Sequence, residues 1–315
     1  LSAIEKKIPL YKNFFVKNNF KLPYPLMNII NGGVHANNGL RIQEFMIRPD
    51  RARSFSEAMR MSFIVIKNLS KLIKQKKLST SVGDEGGFAP MINNNNQALD
   101  LIVNAIKKSG FVNGKDISIC LDVAANELYK KNKYSIHSNK YVSVDKSIQQ
   151  YKKMVEKYKI KSIEDPFAEN DWSSWNKLMK SLKKVQIVGD DLYVTNLERL
   201  KKGFLNISSN AILIKLNQIG TVSETIEVIK ATDKNIQELT PAIGDLINIQ
   251  RLSLSNNSIV NVPLEMLNLP NDVKIDLSRN PVWSTFDWND KELSYFPWFL
   301  EQFQSLKILS LNNNK

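Results

Sequence analysis

The sequence predicts an α/β fold, in which an incomplete (β/α) barrel with six of its eight strands is followed by a short leucine-rich-repeat solenoid. Strand and helix patterns alternate from Pro23 to about Thr232, and four of the strands end on a single charged residue. After Thr232 the apolar residues follow a different, repeating spacing. We therefore expect two domains, a partial barrel over residues 1–232 and a leucine-rich-repeat segment over residues 233–315.

The barrel part begins with two strands and two helices. MNIING and IQEFMIRP are the predicted strands, and residues 54–75 and 97–110 place apolar residues at three- and four-residue spacing, as amphipathic helices do. A regular series then follows, in which the strands ISICLD, IKSIE, VQIVG and AILIK are each succeeded by a helix. These make six strands, whereas a closed barrel of this kind has eight.

The second part has the L-x-x-L-x-L-x-x-N spacing of leucine-rich repeats. Three copies share two aliphatic residues and an asparagine: Leu252, Leu254 and Asn257; Ile275, Leu277 and Asn280; Leu309, Leu311 and Asn314. The first step is 23 residues and the second is 34, because an aromatic-rich stretch, WSTFDWNDKELSYFPWFL, interrupts the period. A protein partner is one expected use of such a segment.

Composition excludes several classes of protein. With 43% hydrophobic and 24% charged residues, the chain is typical of soluble globular proteins. No apolar run approaches the ~18–20 residues that span a bilayer, so we expect no membrane association and a cytoplasmic location. Cys120 is the one cysteine, which excludes an internal disulfide. The net charge of +13 comes from lysines spread over helical faces, so we expect no nucleic-acid partner.

The four charged strand ends indicate chemistry. Asp122, Glu164, Asp190 and Lys215 close their strands at intervals of 42, 26 and 25 residues, which leaves room for a helix and the next strand each time. If the strands are parallel neighbours, these side chains converge on the carboxyl-terminal rim, where barrel enzymes place their catalytic residues.

Three clustered carboxylates are costly to gather unless a cation neutralises them, and hard oxygen ligands suit Mg²⁺. We therefore predict a magnesium site at Asp122, Glu164 and Asp190. Lys215, beside such a cation, is a candidate general base. Each residue alone has a plainer interpretation, since a strand-end carboxylate often caps a helix and a strand-end lysine is often a surface residue.

Two glycine-rich loops supply further candidates. Glu85 lies in SVGDEGGFAP, where paired glycines allow close backbone approach to a ligand. His35 lies in NGGVHANNG, and Gln43 and Glu44 begin the strand IQEF. The alternatives are an acidic residue exposed on a tight turn and a structural histidine.

The segments INGGVHANNGLRIQEFMI, SVGDEGGFAP, LDVAANELY, SIEDPFAENDW, GDDLYVTN and LIKLNQIGT resemble the enolase family, in order and at its intervals. The resemblance covers residues 1–232 and implies an enolase-type TIM barrel that dehydrates 2-phosphoglycerate to phosphoenolpyruvate in glycolysis. It implies that this is a carbon–oxygen lyase with Mg²⁺ as cofactor, and that it forms oligomers.

The resemblance also implies roles for the candidate residues. Lys215 corresponds to the base that removes the C2 proton, and Glu85 to the acid that helps to expel the C3 hydroxyl. Glu44, with Gln43, supports that hydroxyl, and His35 matches a loop that closes over the substrate. The high-affinity metal site corresponds to Asp122, Glu164 and Asp190, and Asp190 is preferred to Asp191 because the family places this ligand 25 residues before the base.

The chain also departs from the family. Nothing after Lys215 matches the S-H-R-S segment that grips the phosphate, and we find neither the second active-site lysine nor the serine-bearing loop of the amino-terminal domain. We expect impaired activity and, since the chain starts at Leu1 and stops within a repeat, incomplete ends. Alternative hypotheses are a non-catalytic leucine-rich-repeat interaction module on an enolase remnant, and a fusion or assembly artefact.

Overall fold

The computed structural model describes residues 2–13, 22–231, 251–253, 274–276, 285–287 and 308–310. They belong to two compact units, each built from separate stretches of the chain. The first unit comprises residues 1–122 and 153–161, and the second comprises residues 123–152 and 162–315. The predicted domain boundary near residue 232 lies outside the described residues.

The first unit combines strands and long helices. Its elements are α1 (Ser2–Glu5), β1 (Met27–Asn31), β2 (Glu44–Arg48), α2 (Phe55–Gln75), α3 (Asn95–Lys108) and β3 (Ser118–Asp122). β2 pairs antiparallel with both β1 and β3. Every residue of β3 is buried, and Asp122 at its end lies opposite Glu44 in the register of β2. The β2–β3 pairing therefore fixes the position of two predicted site residues.

Polar caps start the two long helices of this unit. The Ser54 side chain accepts the backbone N–H of Glu57 at 3.1 Å, and the Asn94 side chain accepts that of Asn96 at 2.7 Å. The apolar faces of α2 and α3 pack on each other, and the core includes fully buried Val65, Leu69, Leu99, Ile102 and Ile106. Burying one such side chain contributes about 1.5–3 kcal/mol.

The second unit follows the predicted strand–helix series. Its elements are β4 (Tyr129–Lys130), β5 (Lys133–Tyr134), α4 (Val144–Tyr158), β6 (Ile160–Glu164), α5 (Trp172–Ser181), β7 (Gln186–Gly189), α6 (Leu197–Asn206), β8 (Ala211–Ile212), α7 (Leu216–Ile219) and α8 (Val222–Ala231). The end of α4 and the start of β6 belong to the first unit. The predicted α/β class is confirmed, because strands and helices alternate through the described chain.

Parallel pairing aligns the strand ends of the second unit. β7 pairs in parallel with β6, where Ser162 lies opposite Gln186, and with β8, where Gly189 lies opposite Ile212. Their carboxyl ends therefore meet at one edge, as the sequence predicts for the strands that precede Asp190 and Lys215. Trp175 of α5 is fully buried and donates its indole N–H to the Ala168 carbonyl at 3.1 Å.

Two local features differ from the sequence-based expectation. The AILIK strand shortens to β8, which ends at Ile212, and Lys215 occupies the N-cap position of α7. The β4–β5 hairpin within LYKKNKY is not predicted, since the segment lacks alternating polarity. Its turn residues Lys131 and Asn132 both have positive φ, which is the geometry of a type I′ hairpin turn.

Four short strands complete the described residues. These are β9 (Arg251–Ser253), β10 (Lys274–Asp276), β11 (Thr285–Asp287) and β12 (Ile308–Ser310). β9 pairs in parallel with β10, so that Leu252 lies opposite Ile275, and β11 pairs in parallel with β12. The rest of the predicted leucine-rich repeats lies outside the described residues. Within the described part of the chain, no helix has both the length and the apolar character needed to cross a membrane.

Candidate active site

The first unit carries a glycine-rich turn that presents Glu85. The backbone N–H of Gly83 donates to the Gly87 carbonyl at 2.8 Å and closes the turn, while Gly86 has a φ of 81° that an L side chain rarely adopts. Glu85 lies at the tip, with its side chain 41% exposed. This geometry is compatible both with the predicted site residue and with the alternative of an acidic residue exposed on a tight turn.

Glu85 is gathered with two other predicted residues of the same unit. Its Oε2 atom lies 3.5 Å from Nδ1 of His35, which is an ion-pair distance without hydrogen-bond geometry. Asn28 Nδ2 donates to the same oxygen at 3.4 Å. One potential ligand atom each from His35, Glu44 and Glu85 lie within 4.8 Å of one another. The three residues therefore form one polar group.

Gln43 is tied to Asp122 twice. Its backbone N–H donates to the Asp122 carbonyl at 3.1 Å, and its side-chain Nε2 donates to Asp122 Oδ2 at 3.0 Å. Asp122 is only 6% exposed, so its carboxylate depends on such donors for its stability. This contact gives Gln43 a positioning role toward a predicted metal ligand.

In the second unit, Asp165 organises the loop after β7. Its two carboxylate oxygens accept the backbone N–H groups of Asp190, at 3.0 Å, and Asp191, at 2.8 Å. One oxygen from each of Asp165, Asp190 and Asp191 lie within 4.8 Å of one another. Glu164, the predicted ligand, ends β6 directly before Asp165 and is partly buried.

Asp190 and Lys215 form an ion pair within this unit. Lys215 Nζ contacts Asp190 Oδ2, and Gln218 Nε2 donates to Asp190 Oδ1 at 2.8 Å. The Asp190 side chain is 10% exposed and that of Lys215 is 40% exposed. The carboxylate is thus held on both oxygens, while the amine still reaches solvent.

The pKa of Asp191 is raised in this group of acidic residues. Burial raises the pKa of its carboxyl, and the negative charge of Asp190 raises the pKa further. The opposing effect comes from Asn126, whose Nδ2 donates to Asp191 Oδ2 at 3.0 Å. Like charges at short range therefore disfavour the ionised form of Asp191.

The donor chemistry of the second unit fits a hard divalent cation. All three gathered groups are carboxylates, and a cation would relieve the repulsion that raises the Asp191 pKa. The group in the first unit contains the imidazole of His35 instead, a ligand type that suits transition metals better than Mg²⁺. The carboxylate-rich strand ends are the better candidates for magnesium.

Several residues that contact the predicted site residues were not themselves predicted, among them Asp165, Thr195 and Gln218. Asp165 follows Glu164 directly in SIEDPF, and Gln218 lies three residues after Lys215, which is one helical turn in KLNQ. The adjacency of Asp165 to Glu164 and the helical spacing of Gln218 from Lys215 are sequence signals that could have identified these two residues. Thr195, whose hydroxyl oxygen accepts the backbone N–H of Lys215 at 2.9 Å, has no comparable signal in the sequence, because this contact depends on a loop in which Val194 and Thr195 have positive φ.

The sequence of this chain is similar to those of known proteins. Residues 19–238 match the family described as Enolase, C-terminal TIM barrel domain. Over 230 residues, the chain is 79% identical to "Enolase" of Pelagibacter ubique (strain HTCC1062), covering 73% of this chain and 55% of that protein. Over 230 residues, it is 47% identical to "Enolase" of Natranaerobius thermophilus (strain ATCC BAA-1301 / DSM 18059 / JW/NM-WN-LF), covering 72% and 54%. The chain spans about half the length of these curated relatives.

Proposed function

Because the chain belongs to the enolase family, we propose that it catalyses the Mg²⁺-dependent dehydration of 2-phosphoglycerate to phosphoenolpyruvate. The observation that carries the proposal is the Lys215–Asp190 pair, in which Asp190 directly follows β7 and Lys215 lies three residues after its parallel neighbour β8. It joins a partly exposed amine, which has the chemistry of a general base, to a buried carboxylate with the chemistry of a metal ligand. The reaction class is that of a carbon–oxygen hydro-lyase.

The base in this proposal is Lys215. In its neutral form, the amine accepts the proton from C2 of the substrate at Nζ, and the electrons of the broken C2–H bond form the C2–C3 double bond. The amine is suited to this step because 40% of its side chain is exposed while its backbone and its head group are both held by neighbours. A positioned base of this kind contributes typically about 10²–10⁴ in rate.

The acid in this proposal is Glu85. It donates a proton to the departing C3 hydroxyl, which leaves as water and balances the proton taken at C2. Support comes from the turn that presents Glu85 and from the proximity of His35 and Glu44 in the same unit. Gln43 and Glu44 would support the hydroxyl, and His35 would contact the substrate.

The residues proposed to hold Mg²⁺ are Asp122, Glu164 and Asp190. The assignment rests on their place at strand ends and on the carboxylate chemistry of the acidic groups. Bound Mg²⁺ would offset the negative charge that develops on the substrate. The Gln43 side chain donates a hydrogen bond to the Asp122 carboxylate, and the Gln218 side chain donates one to the Asp190 carboxylate, so both proposed ligands are held in position.

We propose that the activity is low. The sequence contains two histidines, His35 and His137, so no S-H-R-S segment follows Lys215. A charge-assisted contact to phosphate is worth about 1.5–3 kcal/mol. The absence of an arginine and a serine contact would therefore reduce affinity or rate by about 10²–10⁴.

The segment after residue 232 is proposed to be a leucine-rich-repeat module that binds a protein partner. Support comes from the parallel pairing of β9 with β10, which joins residues one predicted 23-residue step apart. A small-molecule substrate, a homo-oligomer and a cytoplasmic location are proposed from the family alone. A non-catalytic remnant carrying this module is the alternative to the enzyme.

The proposed reaction is tested with the purified full chain, 2-phosphoglycerate and Mg²⁺. We expect phosphoenolpyruvate, followed by its ultraviolet absorbance, at a rate about 10²–10⁴ below that of an intact enolase. Lys215→Ala should abolish the product. Lys201→Ala is the matched control, because Lys201 also pairs with a carboxylate, that of Glu198 at 2.7 Å, away from the site. No product at any Mg²⁺ concentration would refute the enzyme hypothesis.

A further inference from the structure

A closed ring of hydrogen bonds connects the proposed base to the proposed metal ligand. We propose that Thr195 and Gln218, neither of which the family roles above include, are positioning residues that fix Lys215 and Asp190. The inference rests on the proposed function, because it concerns the placement of that base. All four residues belong to the second unit.

The ring can be followed atom by atom. The backbone N–H of Lys215 donates to Thr195 Oγ1 at 2.9 Å. The Thr195 hydroxyl donates in turn to Gln218 Oε1 at 3.0 Å. Gln218 Nε2 donates to Asp190 Oδ1 at 2.8 Å, and the contact between Asp190 Oδ2 and Lys215 Nζ closes the ring. Thr195 thus holds the main chain of Lys215 and Asp190 holds its side chain, and Gln218 connects these two partners.

Donor and acceptor chemistry restricts which side chains can form this ring. The Thr195 hydroxyl accepts one bond and donates one, so a hydroxyl is needed at this position. Gln218 accepts with its oxygen and donates with its nitrogen, which a glutamate cannot do toward the Asp190 carboxylate. A serine could replace Thr195, whereas valine, its apolar isostere, could not.

The backbone around Thr195 is held in an unusual conformation. Val194 and Thr195 have φ values of 42° and 54°, which β-branched residues rarely adopt. The Asp190 carbonyl accepts the N–H groups of Tyr193, at 3.1 Å, and Val194, at 2.7 Å, and so maintains this tight loop. Thr195 is fully buried. The loop therefore points a buried hydroxyl at the Lys215 backbone and leaves no room for solvent to replace it.

The ring extends the connection between two strands. The backbone N–H of Leu213 donates to the Gly189 carbonyl at 3.0 Å, just after the paired residues of β7 and β8. Beyond Leu213 along the chain, hydrogen bonds of the Thr195 and Gln218 side chains connect the loop after β7 to the start of α7. A base on a short loop is thereby anchored to a rigid neighbour, and displacing such a group by about 1 Å can cost about 10² in rate.

The first test measures backbone amide exchange in the full chain, without substrate or Mg²⁺. Thr195→Val should raise the exchange rate of the Lys215 amide by about tenfold or more, because it removes that amide's acceptor. Thr195→Ser should keep wild-type protection. The Leu213 amide is the internal control, since its acceptor is a backbone carbonyl, and its rate should not change. If the exchange rate of the Lys215 amide is unchanged in Thr195→Val, the hydrogen-bonded ring does not exist in solution and the inference fails.

The second test separates positioning from general stability. Thr195→Val and Gln218→Met should lower kcat by about 10² with KM changed less than about threefold, and Thr195→Ser should restore kcat. The primary isotope effect with C2-deuterated 2-phosphoglycerate should rise, because proton removal becomes the slow step. Thr225→Val is the matched control, since the Thr225 hydroxyl donates to the backbone carbonyl of Thr221, the residue before α8, at 2.8 Å, and the kcat of this variant should match the wild type.

The outcomes distinguish this inference from the proposed function. If the wild-type chain forms no phosphoenolpyruvate, the proposed function fails, and the exchange of the Lys215 amide then decides the ring by itself. If kcat is unchanged in Thr195→Val while the Lys215 amide loses protection, the bond exists but has no positioning role, and the inference fails. If Thr195→Val does not fold, Gln218→Met, at a partly exposed residue, decides the positioning role: an unchanged kcat in this variant refutes the inference.

Discussion

The Asp165 carboxylate accepts the backbone N–H of Asp191 at 2.8 Å. The side chain of one acidic residue therefore holds the main chain of another. Asp165 is 4% exposed, and its second oxygen accepts the N–H of Asp190. Two backbone donors thus stabilise a buried negative charge, which would otherwise be costly. The loop that carries Asp190 depends on this carboxylate.

We therefore expect Asp165→Ala to destabilise the second unit. The change leaves the N–H groups of Asp190 and Asp191 without these acceptors, and each unsatisfied buried group costs about 1–3 kcal/mol. Urea unfolding should show this loss. Asp145→Ala is the matched control, because the Asp145 side chain is 77% exposed in a surface ion pair and should change stability by less than about 1 kcal/mol. Equal effects of the two changes would refute the role of Asp165.

A second prediction concerns Tyr134, which is fully buried. Its hydroxyl donates to Asp171 Oδ2 at 2.8 Å and accepts the Ala168 N–H at 3.1 Å, and burial raises the pKa of the phenol. Tyr134→Phe removes the acceptor of the Ala168 N–H, which should cost about 1–3 kcal/mol in the free energy of unfolding. Thermal and urea melts measure this loss.

The control for Tyr134 lies in the same hairpin. Tyr129 is 36% exposed, and its hydroxyl bonds only the nearby Asn132 side chain among the contacts described, at 2.6 Å. Tyr129→Phe should change the free energy of unfolding by less than about 0.5 kcal/mol. If Tyr134→Phe is equally mild, the buried hydroxyl has no stabilising role.

A third prediction is the pH dependence contributed by Asp116. Its carboxylate accepts the Val112 backbone N–H at 2.8 Å and pairs with Arg51 at 3.1 Å, and these contacts, the backbone bond first, lower its pKa below 3.8. A lowered pKa means that the unfolded chain binds the proton more readily. The stability from Asp116 is therefore present above pH 3.8 and is lost as pH falls through the folded-state pKa.

The measurement for Asp116 is urea unfolding of wild type and Asp116→Asn from pH 6 downward. The wild type should lose more stability below about pH 4 than the variant, because the variant has no carboxyl to protonate. Asp100→Asn is the control, since that side chain is 55% exposed in a surface ion pair. Parallel curves for the wild type and Asp116→Asn would contradict the prediction.

Much of the fold was predictable because the apolar runs are long and the charged residues end them. The strand ends at Asp122 and Glu164, and the α/β alternation between them, follow from that pattern and are confirmed. The enolase-family resemblance predicted from the loop motifs is also confirmed. The site assignments remain predictions, and so does the leucine-rich-repeat segment.

The remaining contacts could not be predicted, because they depend on side chains reaching across loops. Thr195 meets Lys215 only because two consecutive residues adopt positive φ, which neither valine nor threonine favours in a sequence pattern. Asp165 binds backbone groups 25 and 26 residues away, and no local signal specifies which loop comes that close. Such contacts arise from tertiary structure.

The last prediction distinguishes Asp190 from Asp191 as a metal ligand. Lys215 contacts one carboxylate oxygen of Asp190 and Gln218 donates to the other, whereas burial and the charge of Asp190 raise the pKa of Asp191. A carboxyl group must be deprotonated to bind Mg²⁺, so the raised pKa of Asp191 makes it the weaker candidate ligand. Calorimetric titration of Mg²⁺ into the full chain should therefore show affinity reduced by about 10² or more in Asp190→Asn, the size expected when a metal site loses a directly bound group rather than an outer partner.

Asp191→Asn serves as the matched variant in this titration. The amide keeps the size of the side chain and removes the repulsion with Asp190, so Mg²⁺ affinity should change by less than about tenfold. A larger loss in Asp191→Asn than in Asp190→Asn would exchange the two assignments. Unchanged affinity in both variants would refute a metal site at this loop, because neither carboxylate could then contact the ion.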